Sequence, residues 1–322
     1  MNLYPLKFTP IFKERLWGGT KLNEELGKNI EGNFIGESWE LSGVEGSISK
    51  VANGKLKGIS LNELLETYEA VLLGEKVFKA YGTNFPILIK FLDAKKDLSI
   101  QLHPNDELAK KRHNSLGKTE MWHVLQADDQ ANLIIGFNRD VTRQEYQEHL
   151  KKDELEQILN YEKVSKGDTF FIKTGKVHAI GAGVVLAEIQ QTSDITYRIY
   201  DWNRKDQDGN TRELHTELAL DAIDYKKKDD FKVNYNKASN EINEMVQSPY
   251  FITNYLNIEK SCTIATGELE SFSIYMCVEG EATITNDFGT ATLKKGETAL
   301  IGANSTKVTF EAEKAEILQV YM

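Results

Sequence analysis

Apolar residues along the chain fall in short blocks, not in long helical stripes. Phe85-Pro86-Ile87-Leu88-Ile89-Lys90-Phe91-Leu92 and Ala131-Asn132-Leu133-Ile134-Ile135-Gly136-Phe137 are apolar runs bounded by turn residues. Val184-Val185-Leu186-Ala187-Glu188-Ile189 and Thr196-Tyr197-Arg198-Ile199-Tyr200 have the same form, and such runs predict strands. Helices are the minority. One is predicted to open at Ser60, where Glu63 completes a capping box, and to run through Leu64, Leu65 and Tyr68. A second opens at Thr142 with Glu145 and heads towards Leu155, Ile158 and Leu159, with a break near Asp153. The third covers about residues 216–224, with Leu218, Ala219, Ala222 and Ile223 as its apolar stripe. A short helical turn is expected after Asn105-Asp106.

The pattern changes after the third helix. Lys226-Lys227-Lys228-Asp229-Asp230 and residues 234–243 are polar and poor in large aliphatics, as a connector is. Beyond it the chain is rich in Thr, Val, Ile and Ala, with glycine turns expected at Glu279-Gly280 and Asp287-Phe288-Gly289. We therefore divide the chain into residues 1–235, mostly β with helical insertions, and a smaller all-β domain, 236–322. Ser165-Lys166-Gly167-Asp168-Thr169-Phe170-Phe171-Ile172 is echoed by Lys294-Lys295-Gly296-Glu297-Thr298-Ala299-Leu300-Ile301. In the first copy His178 follows the glycine by eleven residues, and the same step in the second reaches Lys307. Either chance or two β-barrel halves, one equipped and one bare, accounts for the echo.

Composition narrows the function classes. The 322 residues carry 39 basic and 49 acidic side chains, a net charge of −10, which argues against a nucleic-acid partner. No apolar run approaches the ~18 residues that span a bilayer, so no membrane partner is expected. Met1 to Pro10 has no apolar core and does not read as a signal peptide. Two cysteines, Cys262 and Cys277, make no disulfide framework, and a reducing cytoplasm is the expected location.

All six histidines lie between His103 and His215. Gln101 and His103, two apart, share one face of a strand; Lys118 and Glu120 do the same; His178 sits between Gly175 and Gly181. Two imidazoles, a carboxylate and an amide oxygen make a zinc shell with room for water or substrate. The alternative is that His103 and His178 are partly buried turn histidines. His149 reads as solvated on an exposed helix, His113 as part of a basic polar stretch, His123 as packed on another face, and His215 as a helix cap. Gly181-Ala182-Gly183 lacks the third glycine of a dinucleotide fingerprint. No phosphate loop or nucleophile elbow occurs. Both cysteines lie apart from every histidine and read as buried strand residues.

Several longer motifs resemble the type I phosphomannose isomerases, zinc-dependent enzymes of the cupin superfamily. They are Leu98-Ser99-Ile100-Gln101-Leu102-His103-Pro104-Asn105, Lys118-Thr119-Glu120-Met121-Trp122, Gly175-Lys176-Val177-His178-Ala179 and Tyr197-Arg198-Ile199-Tyr200-Asp201. Arg15-Leu16-Trp17-Gly18-Gly19 and Gly36-Glu37-Ser38-Trp39-Glu40 follow the same pattern. The resemblance covers most of residues 5–225 and is weak beyond. It implies two cupin-type jelly-roll barrels and one zinc held by Gln101, His103, Glu120 and His178. It also implies a catalytic Arg198, a phosphate held by Ser99 and Lys90, and Lys118 as a candidate for proton transfer. The implied substrate is a small phosphosugar, mannose 6-phosphate interconverting with fructose 6-phosphate through a cis-enediol. Glu188 and Asp194 are equally open as the base, and Lys118 would serve if burial and nearby cations lowered its pKa. A non-catalytic sugar-binding cupin or an isomerase of another phosphosugar are the alternatives. A dianionic substrate needs only a local field, which zinc, Lys90, Lys118 and Arg198 would supply inside an acidic protein.

Overall fold

A computed structural model describes residues 2–205 and 208–322. Among them, every pairing of strands is antiparallel. One sheet runs in the order Ile11–Gly19, Ile35–Leu41, Ile87–Ala94, Val184–Gln191, Glu120–Ala127, Thr169–Ile172. A second runs Tyr197–Tyr200, Ile100–Leu102, His178–Ile180, Asn132–Phe137, Leu159–Lys163. The two share a core in which Leu92, Trp122 and Leu186 from one sheet meet Leu133, Ile135 and Ile180 from the other. That is the first barrel.

The third sheet is the second barrel. Its long strands Ile252–Ala265, Ser273–Asn286 and Lys307–Tyr321 pair side by side, with Thr298–Ile301 and then Leu6–Lys7 at one edge. Register shifts at Glu259/Lys260 and around Gly280 bend these strands over a core of Leu256, Tyr275, Ile284 and Phe310. The fold is therefore mostly β and cupin-like. Leu6–Lys7 lies in this sheet although it precedes the whole first barrel, Leu6 pairing with Leu300.

The blocky hydrophobic pattern follows from this arrangement. On Glu120–Ala127, Trp122 and Val124 point into the first barrel, whereas Met121 and Leu125 join a separate core with Phe251, Ile274 and Met276 of the second. Leu92 and Phe91, and Leu186 and Ala187, divide in the same way. Strands buried on both faces need apolar residues at nearly every position, so period-two alternation disappears from the sequence.

Both capping boxes form, at Ser60/Glu63 before the helix Leu61–Leu73 and at Thr142/Glu145 before Arg143–Lys151. Asp153, at φ +59°, ends the latter, and a 3-10 turn follows over Leu155–Ile158. The turn after Asn105 is a longer helix, Asp106–His113, capped by Asn105 Oδ1 on the Leu108 N–H. The third helix is shorter than its stripe predicts, Thr216–Ala219. Its N-cap, His215, makes no side-chain cap; its Nδ1 accepts the Arg198 backbone N–H instead, at 3.2 Å. Glu279-Gly280 is not a turn but a bulge inside Ser273–Asn286, whereas Asp287-Phe288 does turn the chain into Gly289–Lys294.

The internal echo is a repeated local structure. Gly167 and Gly296 sit at φ +86° and +83°. Asp168 Oδ2 accepts the Ser165 N–H at 3.0 Å, and Glu297 Oε2 accepts the Lys294 N–H at 2.8 Å. Each turn then launches a strand, Thr169–Ile172 or Thr298–Ile301. The same glycine and the same carboxylate cap build both.

Candidate active site

Strand alternation turns Glu120, with Trp122 and Val124, into the first barrel. His178 starts a strand whose register sets it directly opposite Gln101, so the two side chains share a face. His103 follows Leu102 one residue past the same strand as Gln101. The three protonatable groups converge: Glu120 Oε2 is 3.5 Å from His103 Nε2, and Oε1 is 3.4 Å from His178 Nε2. All three are buried.

Both imidazoles are oriented from behind. His103 Nδ1 lies 2.8 Å from the Ile195 carbonyl, and His178 Nδ1 lies 2.9 Å from the Lys176 carbonyl. A carbonyl only accepts, so each Nδ1 carries the proton; the Nε2 lone pair of His178 faces Glu120, and that of His103 faces Glu120 and the Lys118 ammonium. Burial keeps both rings neutral, with the His103 pKa well below the ordinary value and that of His178 down at about 4. Glu120 Oε1 and His178 Nε2 are buried without a hydrogen-bond partner. Neutral imidazoles with lone pairs aimed at an orphaned carboxylate oxygen fit a divalent cation. His103, Glu120 and His178 would hold it. Gln101 Oε1 accepts the Ser99 hydroxyl at 3.3 Å and keeps a second lone pair.

Lys118 stands beside this group, its Nζ 2.8 Å from Glu120 Oε2, 3.1 Å from His103 Nε2 and 4.0 Å from Glu188 Oε1. Among the protein's own groups, the balance on its pKa is upward. Burial works against the charge, but Glu120 and Glu188 outweigh it and raise the value. Glu188 is paired in turn with Lys90 at 3.0 Å and accepts the Trp122 indole N–H at 2.9 Å. Burial alone would raise its pKa; Lys90 and Lys118 hold it down at about 2. Lys90 does not snorkel. It is buried, faces Glu37 at 4.0 Å, and lies over the Trp39 ring.

Arg198 is pinned on one side of the cleft. Its Nε donates to Ser99 Oγ at 3.2 Å and Nη1 to the Glu213 carbonyl at 2.9 Å. Asp201 does not pair with it, being occupied by Arg204 and Arg212. Arg198, Lys118, Lys90, Ser99, Gln101, His178, Glu188 and Asp194 thus line one cleft of about 580 Å³. Asp194 is exposed at its mouth.

The cleft also uses residues given no role from the sequence. Arg15 pairs with Glu37 at 2.7 Å, and Glu37 accepts the Trp39 indole N–H at 2.5 Å. The signal was there, since both belong to the two motifs near residues 15–19 and 36–40. Gly18 lets their strands meet: a Cβ on it would stand 2.4 Å from the Gly36 nitrogen. Arg212, also on the cleft, had no signal in the sequence.

The other histidines lie outside the group. His123 faces the second barrel, bonded through Nδ1 to Thr169 Oγ1 at 2.8 Å. His113 bonds the Tyr197 hydroxyl at 2.9 Å, and His149 is half-buried beside the Glu154 carbonyl at 3.3 Å. Both cysteines are buried and unpaired.

Comparison with known proteins places this geometry. Residues 5–155 match the family model for the phosphomannose isomerase type I catalytic domain, and residues 241–322 match the mannose-6-phosphate isomerase cupin domain. The mannose-6-phosphate isomerase ManA of Bacillus subtilis is 35% identical over 304 residues, 94% of each chain. The chain belongs to the type I phosphomannose isomerases. A mannose-6-phosphate isomerase of Streptococcus mutans is 32% identical over 91% of this chain and 90% of its own. The crystal structure of a Bacillus subtilis mannose 6-phosphate isomerase superposes with a TM-score of 0.90 at 32% identity, covering 99% of this chain and 100% of that one. A phosphomannose isomerase model ending at residue 155 includes Gln101, His103, Lys118 and Glu120 but stops short of His178, Glu188 and Arg198. The full-length structural match bridges that interval.

Proposed function

We propose that this chain is a zinc-dependent mannose-6-phosphate isomerase, interconverting that aldose phosphate with fructose 6-phosphate. The observation that carries the reading is the His103–Glu120–His178 group at the floor of a cleft walled by Lys118, Glu188 and Arg198. A bound divalent ion supplies Lewis-acid polarisation of the sugar's carbonyl and neighbouring hydroxyl. Zinc suits two imidazoles, a carboxylate and an amide oxygen.

The protein's own groups supply the rest. Arg198 places a permanent positive charge where the enediol oxygens gain negative charge, and its two fixed hydrogen bonds keep it from reorganising. Ser99 and Lys90 are assigned to the phosphate; Ser99 Oγ accepts from Arg198 Nε, and Lys90 lies over the Trp39 ring. Lys118 is assigned to proton transfer between C1 and C2. Its proton is held by Glu120 and Glu188. With Glu120 engaged as a ligand, part of that hold is withdrawn and the pKa moves down, the direction a base needs. Glu188, at about 2, is a weak base.

Residues 1–235, apart from the Leu6–Lys7 strand, form the catalytic unit in this reading, and 236–322 with that strand form a barrel without metal ligands. No helix among the described residues is long and apolar enough to cross a membrane. The partner is a phosphosugar, without nucleic acid or membrane. Two buried, unpaired cysteines favour a reducing cytoplasm. A coupled assay on mannose 6-phosphate, run with and without a chelator and paired with metal analysis, tests the proposal. Turnover that zinc restores after chelation is expected; no turnover by the zinc-loaded protein would overturn it.

A further inference from the structure

The segment from Gln101 to Asp106 supplies a ligand, a helix cap and one carboxylate not yet given a task. Asp106 is the first residue of the helix Asp106–His113. Its Oδ1 accepts the backbone N–H of Gly117 at 2.8 Å and the side-chain N–H of Gln191 at 3.0 Å. The other end of Gln191, Oε1, accepts the Thr119 N–H at 2.9 Å, and its backbone N–H donates to the Thr119 carbonyl at 3.1 Å. Lys118 lies between Gly117 and Thr119. One carboxylate and one amide, from separate elements, therefore hold the chain on both sides of it.

The fit is close. A Cβ on Gly117 would stand 2.7 Å from the Asp106 nitrogen, so only glycine lets the loop reach the helix start. The strand that carries the loop forward begins only at Glu120, leaving Gly117 outside the ladder and Thr119 tied to Gln191 at its end. Gln191 is buried at the end of Val184–Gln191, two positions beyond Ile189 and three beyond Glu188. From the turn between Asn243–Gln247 and Ile252–Ala265 of the second barrel, the phenol of Tyr250 bonds the same Asp106 carboxylate.

We propose that Asp106 and Gln191 are positioning residues for Lys118, and that Tyr250 gives the second barrel a part in turnover by steadying Asp106. The role presupposes the isomerase reading. A lysine has four rotatable bonds, and its ammonium has to stand about 3 Å from its partners, so its reach is only as accurate as its backbone. Misplacement by about 1 Å costs on the order of 100-fold in rate. Removing the clamp should leave the metal group in place, because Glu120 is held by its own strand pairing with Gln190 and Ile172, and neither Asp106 nor Gln191 contacts Ser99 or Lys90.

The test uses Gln191→Leu, Asp106→Ala and Tyr250→Phe in the zinc-loaded enzyme. Gln191→Leu and Asp106→Ala should lower kcat by about 10–100-fold, with KM within about twofold and bound zinc unchanged. Tyr250→Phe, which removes one hydroxyl from a half-buried ring, should lower kcat a fewfold and leave the fold intact. Amide hydrogen exchange at Gly117 and Thr119 should quicken in all three. Wild-type kcat in the first two variants, or unchanged exchange at both amides, overturns the clamp. If Gln191→Leu does not fold, Tyr250→Phe decides, with unaltered kcat and exchange counting against the proposal. If the wild type does not turn over mannose 6-phosphate, the isomerase reading falls by itself, and exchange at the two amides still judges the clamp.

Discussion

His178 stands directly opposite Gln101 across paired strands, and its Nε2 looks at Glu120 Oε1 from 3.4 Å with no hydrogen-bond partner for either atom. An unsatisfied pair at the centre of a barrel is a cost unless a cation settles it. His178→Ala should therefore lose bound metal and isomerase activity together while the barrel still folds. Metal analysis of the purified variant beside its circular dichroism checks this; full metal occupancy would remove His178 from the ligand set.

Arg198→Ala should separate binding of the ion from turnover. Bound zinc stays at the wild-type level, and kcat falls about 100–1,000-fold, the usual effect of losing a donor to developing oxygen charge. Arg198→Lys should recover little, because one ammonium cannot serve Ser99 Oγ and the Glu213 carbonyl in the same geometry. Steady-state kinetics with metal analysis distinguishes this from a purely structural arginine, whose loss would lower the melting temperature with kcat unchanged.

Lys28 carries a buried charge between the barrels. Its Nζ is 2.6 Å from Glu40 Oε1 and donates to the Gly296 carbonyl at 2.5 Å, the same glycine that shapes the repeated turn. Burial, opposed by Lys28, leaves the Glu40 pKa raised. Lys28→Ala should destabilise by about 3–5 kcal/mol, since it strands a carboxylate without its cation. Lys28→Met with Glu40→Gln should restore most of that. Urea unfolding of both proteins gives the comparison.

His123 makes the fold acid-sensitive. Burial first, then Lys237 and Lys166, hold its pKa at about 3, against an ordinary value of 6.5. Between those values the unfolded chain binds a proton that the folded chain does not. Stability from this group is full above about pH 6.5 and is lost as pH falls, by at most about 1.4 kcal/mol per pH unit. His123→Leu should flatten the fall between pH 6 and 4 in denaturation midpoints; an unchanged slope would show that the ring titrates freely in the native state.

Much of this was legible in the sequence. The strand runs, the capping boxes at Ser60 and Thr142 and the repeated Gly-acid-Thr turn are short-range signals, and each appears where expected. The His103, Glu120 and His178 group was partly readable, because histidine is scarce and Gln101/His103 and Lys118/Glu120 are each two apart, but the full ligand set rested on the family resemblance. What failed was long-range. Gly280 looks like a turn and is a bulge, because the strands on both sides pair with Lys307–Tyr321. The charge state of Lys118 depends on Glu188, seventy residues away in the chain and 4.0 Å away in space. Arg212 reaches the cleft from a loop with no local pattern at all.

The two-residue strand Leu6–Lys7 has a consequence for how the molecule is made. Its partner, Thr298–Ile301, lies beyond the whole first barrel in chain order. Leu3 and Leu6, fully buried in the finished protein, must wait in water while the entire first barrel is synthesised. Completing the second barrel thus reaches back across the first. It fastens Leu6–Lys7 like the last stave of a cask, and a cut between the barrels would free neither half without baring that seam.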